Sequence, residues 1–300
     1  MRFISRPTPA APLCLDGYTV FMPSLSIGNV GQLTADILVA SLDMRLVGSL
    51  DTDLVVPVVG ADPYHAPAAS AAAAAAVAAT ASASATPDAP TLDDVTGMAS
   101  ALDVYVADEA RVAVIQQRAP LIKGKRAIFA TRLVGWLSKA QATALVWLHS
   151  ADAALRLEAE IDDPIQLRYQ ASEPFGVASG AALAALTDAG VSQLTRDPEV
   201  LPLDAVPTID PATVRDEVTP SRSGLHGLSA RVYDAAVATE LPVLVVQAFA
   251  AEGDNIRDAL NMASLLHQAF NFPLTTSQWT VPPSWALLFG GHMTDPTLFM

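Results

Sequence analysis

The stretch YTVFMPSLSIGNVGQLTADILVASL, residues 18–42, decides the fold class. It opens with a short apolar run, passes Gly28 and Gly31, and continues in a helical pattern that places Val30 and Ile37 on one stripe. A buried strand that leads through a glycine turn into an amphipathic helix is the repeating unit of α/β domains. Residues 18–42 therefore predict an α/β fold.

Similar units recur along the chain. Further apolar runs that predict buried strands are LVVPVVG (54–60), ALDVYVA (101–107), RVAVIQQRAP (111–120), ALVWLHS (144–150) and LPVLVVQAFA (241–250). Helical patterns cover residues 127–141 and 254–270, and Asp254 or Asn255 is the predicted N-cap of the second. We predict a single α/β domain over residues 18–289, with a central mostly parallel or mixed sheet flanked by helices.

Two internal segments lack apolar periodicity. Residues 63–93 consist mainly of Ala, Ser, Thr and Pro, and they predict a disordered, mobile insertion. Residues 195–224 contain five prolines and many acidic residues, and they predict a long surface excursion. We also predict a flexible leader at residues 1–17 and a flexible C-terminal docking tail at residues 290–300.

The bulk composition limits the classes of partner. A formal charge of −14 and a pI of about 4.5 argue against nucleic-acid binding, which needs a basic face. No stretch has the Leu/Ile/Val content of a membrane span, and the first 18 residues lack the apolar segment of a signal peptide. The single cysteine, Cys14, fits a reducing compartment. We therefore expect a cytoplasmic or nuclear protein, with no membrane or nucleic-acid partner.

Motifs for catalysis or metal binding are incomplete. The glycine loop has Leu33 where a dinucleotide fingerprint has a third glycine, which favours structural roles for Gly28 and Gly31. The histidines lack zinc-site spacing, and GVASG (176–180) has its serine one place late for a nucleophile elbow. The basic cluster LIKGKR (121–126) is interpreted as a solvated turn. We predict no catalytic residue, no metal and no cofactor.

The segment EGDN, residues 252–255, leaves an alternative open. It lies between the last apolar run and a strong helix, where open α/β sheets often bind ligands at the carboxyl end of a strand. With the GNVGQ loop it could line the crevice of a nucleoside phosphorylase-like enzyme that acts on a nucleoside or a phosphorylated metabolite. A third possibility is a general dimeric adaptor.

Four segments occur together in a specific order: FMPSLSIGNVGQLTADILVASLDMRLVGSL, VPVVGADPY, AEGDNIRDAL and WTVPPSWALLFG. On these segments, from residue 21 to residue 290, the chain resembles the proteasome assembly chaperone 2 family. The motif residues, for which we predict structural roles or partner contacts, are Gly28, Asn29, Gly31, Gln32, Gly60, Asp62, Pro63, Tyr64, Glu252, Gly253, Asp254 and Asn255. Trp279 and Trp285 are assigned to core or interface packing.

The resemblance implies a function that is not enzymatic. It implies a chaperone that forms a heterodimer with a related chaperone 1 subunit and binds proteasome α-subunits. The pair would promote assembly of the α-ring of the 20S core particle and prevent its premature or off-pathway association.

The resemblance also implies a docking role for Leu298, Phe299 and Met300, because proteasome-binding proteins often end in a hydrophobic residue, a tyrosine and any residue. Phe299 lacks the tyrosine hydroxyl and with it a hydrogen bond of about 0.5 to 1.5 kcal/mol. Burying Leu298 and Phe299 would contribute roughly 1.5 to 3 kcal/mol each. Ordering the tail costs about 1 to 2 kcal/mol per residue, so binding by the tail needs a second, tethered contact. The alternative is that these residues pack into the core.

Overall fold

The described residues cover most of the chain. The computed structural model describes residues 1–6, 12–64, 97–156, 161, 163, 165–194, 225–274, 276 and 278–287. The predicted excursion at 195–224 and the predicted tail at 290–300 lie outside these residues, as does the predicted insertion at 63–93 apart from Pro63 and Tyr64.

The strands form one large sheet and one small one. They are β1 (Arg2–Ser5), β2 (Thr19–Pro23), β3 (Arg45–Asp51), β4 (Val59–Ala61), β5 (Met98–Ser100), β6 (Leu102–Ala107), β7 (Val112–Gln117), β8 (Ala144–Asp152), β9 (Leu167–Ala171), β10 (Ser192–Gln193) and β11 (Val243–Ala250). Within the described residues, nine strands form the main sheet in the order β1-β3-β6-β7-β2-β8-β11-β9-β10, while β4 pairs with β5.

The centre of the main sheet is parallel and its margins are mixed. Strands β7, β2, β8 and β11 pair in parallel, with Val20 opposite Ala113 on one side and Leu145 on the other. Strand β6 pairs antiparallel with β3 on one side and with β7 on the other, and β11 pairs antiparallel with β9. The parallel centre brings the carboxyl ends of four strands to the same edge of the sheet.

Helices cover both faces of the sheet. They are α1 (Val30–Ser41), α2 (Arg126–Lys139), α3 (Glu173–Ala178), α4 (Gly180–Asp188), α5 (Gly227–Ala238) and α6 (Ile256–Phe270), with 3-10 turns at Ile27–Asn29, Ala153–Leu155 and Pro283–Leu287. Helices α1 and α4 pack with α6 on one face, and α2 packs with α5 on the other. Among the described residues, no helix is both long enough and apolar enough to span a bilayer.

The hydrophobic core is divided by the sheet into two layers. Side chains alternate along β8, so Leu145 and Trp147 join the core under α2 and α5, while Val146 and Leu148 join the core under α1 and α6. All four side chains are fully buried. The sequences of the central strands are therefore continuous apolar runs, as predicted for strands covered on both faces. The predicted fold class, one α/β domain with a mixed sheet flanked by helices, is confirmed.

Two local expectations differ from the structure. Residues 1–17, predicted to be a flexible leader, include β1, which pairs antiparallel with β3 at the margin of the sheet. Residues 54–60, predicted to be a strand, contribute only Val59 and Gly60 to β4. Pro57 lacks the N–H group that a central strand would need. The strand that follows α1 is instead β3. Its buried and exposed residues do not alternate regularly, so its sequence gave no clear strand pattern.

Candidate functional site

The first and third family motifs meet at the carboxyl edge of the parallel strands. Asn255, only 5% exposed, donates hydrogen bonds from Nδ2 to the backbone oxygens of Ala251 and Gly253, both at 3.0 Å. Gly28 has a φ of 65°, and a Cβ at this position would lie 2.5 Å from Nδ2 of Asn255. The GNVGQ and EGDN segments are 220 positions apart at their nearest residues, Gln32 and Glu252, yet they form one packed junction.

Gly31 fixes the approach of α1 to the sheet. A Cβ at Gly31 would lie 2.9 Å from the backbone oxygen of Leu148 in β8. Asn29, the exposed residue that precedes the helix, has a φ of 54°. The turn between β2 and α1 therefore places two residues in left-handed conformations and one helix residue in close contact with the sheet backbone.

Serine side chains hold the same turn against β8. The hydroxyl oxygens of Ser26 and Ser150 lie 2.8 Å apart, and Ser150 donates to the backbone oxygen of Ile27 at 2.5 Å. Ser24 Oγ lies 2.9 Å from Nδ1 of His149. Burial lowers the pKa of His149 to about 4, with a further contribution from the charge of His226, so the imidazole is neutral at pH 7. These contacts were not predicted, although the polar pair His-Ser at the end of an apolar run was a signal for them.

Gln32 connects α1 to β7. Its Nε2 donates to the backbone oxygen of Gln117 at 2.7 Å. In return, Gln116 Nε2 donates to the backbone oxygen of Gln32 at 3.0 Å and to Oδ1 of Asp36 at 2.6 Å. The amide side chains thus satisfy backbone groups that the end of the strand would otherwise leave unpaired.

Tyr64, the last motif residue of VPVVGADPY, closes a buried polar cluster. Its hydroxyl donates to Oδ1 of Asp36 at 2.6 Å, and Arg118 donates from Nη2 to the same carboxylate oxygen and to the Tyr64 hydroxyl, both at 3.1 Å. Burial, reinforced by the Asp36 carboxylate, holds the pKa of Tyr64 well above its ordinary value. Burial acts to lower the pKa of Arg118, but Asp36, Tyr64 and Tyr105 together outweigh burial, and the pKa is raised. Asp36, Gln116 and Arg118 were absent from the predicted site, though each is a polar residue inside or next to an apolar run.

The remaining motif residues have separate roles. Asp62 Oδ1 accepts from the backbone N–H of Tyr64 at 2.9 Å, and the backbone oxygen of Pro63 accepts from Ser284 at 3.3 Å. Gly60 and Glu252 are exposed. Asp254 Oδ1 accepts from the backbone N–H of Ile256, 3.0 Å away, at the start of α6, while Asn255 occupies the N-cap position. The predicted tail residues Leu298, Phe299 and Met300 lie outside the described part of the chain.

An exposed apolar patch lies at the margin of the same edge. It consists of Ile4 (44% exposed), Val56 (38%), Val58 (41%), Val59 (71%) and Met98 (41%). Ile4, Val58 and Val59 line a shared groove of about 350 Å³. Grouped, exposed large apolar side chains are typical of protein contact surfaces rather than of catalytic sites.

The described residues contain no group of three or more His, Cys, Asp or Glu side chains arranged to hold a metal ion. The motif residues form a network of internal hydrogen bonds in which donors and acceptors are largely paired with one another. Such a network fixes the geometry of the carboxyl edge.

Comparison with known proteins identifies relatives across nearly the whole chain. The sequence model of the PAC2 family matches residues 20–269. Proteasome assembly chaperone 2 of Danio rerio is 30% identical over 287 residues, which cover 94% of this chain and 95% of the relative. Proteasome assembly chaperone 2 of Homo sapiens is 28% identical over 293 residues, covering 95% and 96%.

A solved structure shares the fold. PbaA of Pyrococcus furiosus, described as an archaeal homolog of proteasome-assembly chaperone, superposes with a TM-score of 0.53 at 14% identity and covers 87% of this chain and 85% of its own. The likeness supports the mixed-sheet architecture described above. With the family match over residues 20–269, the comparisons establish that this chain belongs to the PAC2 family.

Proposed function

We propose that this protein is a proteasome assembly chaperone. The observation that carries the proposal is the similarity, over more than nine-tenths of each chain, to relatives named proteasome assembly chaperone 2. We further propose that it acts as a heterodimer with a related chaperone 1 subunit, binds proteasome α-subunits, and promotes formation of the α-ring while preventing premature or off-pathway association. Its place of action would be the cytoplasm, the nucleus or both.

The geometry of the motif residues supports a binding role over an enzymatic one. An enzyme that used GNVGQ and EGDN would need open space between them, but a single methyl group at Gly28 would already meet the Asn255 side chain at 2.5 Å. The amide of Asn255 is occupied by two backbone oxygens. These motifs are therefore better suited to hold the carboxyl edge rigid than to bind a substrate between them.

We propose that Leu298, Phe299 and Met300 dock on the α-ring. Leu298 and Phe299 supply the apolar area, each contributing roughly 1.5 to 3 kcal/mol when buried in a pocket. Ordering the tail offsets much of that gain, so docking depends on a second contact made by the folded body or by the partner subunit.

The direct test is to purify the tagged protein from its own cells and identify the proteins that stay bound. We expect one related PAC2-family subunit in equal amount, together with α-subunits that are not yet part of a mature proteasome. Recovery of neither a related subunit nor any α-subunit would contradict it.

A second experiment tests the tail. A variant that lacks residues 298–300 is compared with the full chain for α-subunit retention and for melting temperature. Reduced retention at an unchanged melting temperature supports docking by the tail, whereas unchanged retention places binding elsewhere. A lower melting temperature assigns the three residues to the core, as the alternative predicted.

A further inference from the structure

A second cavity lies at the carboxyl edge, beside the family-motif network. It has a volume of about 460 Å³. The turn after β2 forms one wall, the turn after β7 forms another, and the start of α5 closes it. Cavities of this size accommodate small organic ligands.

The topology places this cavity at a switch point of the sheet. Strands β2 and β7 are parallel neighbours, yet β2 is followed by α1 on one face and β7 by α2 on the other. In open α/β sheets, neighbouring strands whose connections leave to opposite faces form a crevice at their carboxyl ends, where ligands bind. The fold therefore supplies a preformed opening at this position.

Three strands each point a polar side chain toward the cavity. Ser24, Gln117 and His149 follow the same alternation as Met22, Ile115 and Trp147, which belong to the core under α2 and α5. All three polar residues line the cavity. Gln117 is 1% exposed; its Nε2 donates to the backbone oxygen of Ala119 at 2.9 Å, but its Oε1 has no hydrogen-bond partner among the described residues. A buried amide oxygen without a partner is costly unless a ligand or water donates to it.

The rim of the cavity is positively charged. Lys123 and Arg126 line it, and neither of them forms an ion pair with another described residue. This rim contrasts with the formal charge of −14 on the whole chain.

Two helix N-termini add to this field. Helix α2 begins at Arg126 and α5 at Gly227, and both residues line the cavity. Neither helix has an acidic residue in its first turn or a side-chain hydrogen bond at its N-cap, so the first backbone N–H groups lack that partner. Helix N-termini with free N–H groups favour anions.

We propose that this cavity binds a small organic phosphate that carries hydroxyl groups. Arg126, Lys123 and the N-termini of α2 and α5 bind the phosphate, and a ligand hydroxyl donates to Oε1 of Gln117. The segment LIKGKR, interpreted from the sequence as a solvated turn, becomes one wall of a ligand site. The proposal is independent of chaperone activity, because none of these residues belongs to the tail or to the family motifs.

Titration calorimetry with the full-length protein tests the site with three probes: inorganic phosphate, ribose 5-phosphate and ribose. We expect saturable binding of both phosphates, tighter binding of ribose 5-phosphate, and no binding of ribose. Each probe is titrated to a final concentration of about 10 mM, which is high enough to occupy most of a site with a millimolar Kd. Absence of saturable heat with either phosphate would overturn the proposal.

Two variants with the same charge change distinguish this site from general surface attraction. Arg126→Gln, in the first turn of α2, should weaken ribose 5-phosphate binding about tenfold, as expected for loss of a charge-assisted hydrogen bond. Lys139→Gln, in the last turn of the same helix, should change the affinity for ribose 5-phosphate by less than about twofold. Lys139 is at the opposite end of α2 from the cavity, and charges farther apart than a Debye length are screened. Equal effects of the two variants would contradict the site.

Two further outcomes bear on the identity of the ligand. Gln117→Met should reduce the preference for ribose 5-phosphate over inorganic phosphate while leaving phosphate binding in place. A folded Gln117→Met protein with an unchanged preference would overturn the assigned hydroxyl contact. If a glutamate-rich peptide binds at Arg126 and neither phosphate does, the cavity is a protein-docking surface and the proposal is wrong.

Discussion

At the residue scale, the absence of a side chain at Gly31 sets how closely helix α1 approaches the sheet. A Cβ there would lie 2.9 Å from the backbone oxygen of Leu148 and 3.2 Å from its Cβ. Because β8 lies at the centre of the sheet, its backbone cannot easily move away. A glycine that resembles part of a nucleotide loop in the sequence is thus required by helix-to-sheet packing.

Gly31→Ala should lower the free energy of unfolding by roughly 1 to 3 kcal/mol, the usual cost of overpacking. Gly135→Ala is the matched control, since Gly135 is also in a helix and a Cβ there meets nothing within 4 Å. The control should be neutral or stabilising by about 0.5 to 1 kcal/mol. Urea unfolding measures both, and a Gly31→Ala protein as stable as the wild type would contradict this packing.

The ion pair between Asp36 and Arg118 gives a second prediction. The side chains are only 11% and 21% exposed, so Asp36→Ala leaves a largely buried guanidinium without its carboxylate. We expect a loss of about 3 to 5 kcal/mol in the free energy of unfolding. Asp53→Ala breaks the solvent-exposed pair with Arg132 and should cost at most about 1 kcal/mol. A similar loss of unfolding free energy in the two variants would contradict this prediction, because it would show that the buried ion pair contributes no more to stability than the exposed one.

The lowered pKa of His149 predicts a pH dependence. The folded pKa is about 4 and the usual value is 6.5, so between these values the unfolded chain binds a proton that the folded protein does not. Stability is therefore lost as the pH falls from about 6.5 to 4, by up to about 3 kcal/mol. In His149→Gln, urea unfolding at pH 7 and pH 5 should differ less than in the wild type. An equal difference in both proteins would contradict the assignment.

At the element scale, the edge strand β1 depends on a glycine in its neighbour. A Cβ at Gly48 in β3 would collide with the backbone oxygen of Ile4 and the ring of Phe3, both in β1. The first strand thus packs across a position where β3 has no side chain.

Gly48→Val should detach β1 while the centre of the sheet stays folded, because β3 is the only described strand that pairs with β1. Amide hydrogen exchange over residues 3–5 should become fast. Gly60→Val in β4 is the control, since a Cβ there meets nothing within 4 Å and should leave β1 protected. Retained protection of residues 3–5 in Gly48→Val would contradict the role of this glycine.

Helices and strands with a strong periodicity of apolar residues were predictable from the sequence, whereas those that depend on tertiary contacts were not. The apolar runs that became β2, β8 and β11 and the stripes of α1, α2 and α6 follow from local patterning. Strands β1 and β3 lack such a pattern, because each is defined by pairing across the sheet margin. For the site, the motif residues were identifiable, but the contact of Gly28 with Asn255 and the partners of Tyr64 depend on long-range folding.

At the scale of the whole molecule, three features lie at the carboxyl edge of the sheet. The GNVGQ and EGDN motifs meet in a rigid junction, the apolar patch with Val58 and Val59 of the VPVVGADPY motif lies at the sheet margin, and the basic cavity opens at the switch point between β2 and β7. A rigid edge that presents an apolar patch suits a protein that binds other proteins. The cavity adds a place where a small anion could bind without touching the motif junction.

The most direct test of the proposed chaperone function is to reconstitute proteasome α-subunits with and without this protein and the related subunit that copurifies with it. Native mass spectrometry would quantify complete α-rings against smaller and aggregated species. If the protein is an assembly chaperone, the yield of complete rings should rise and off-pathway species should decrease when the pair is present. An unchanged distribution, with the pair folded and free in solution, would contradict the assignment as an assembly chaperone.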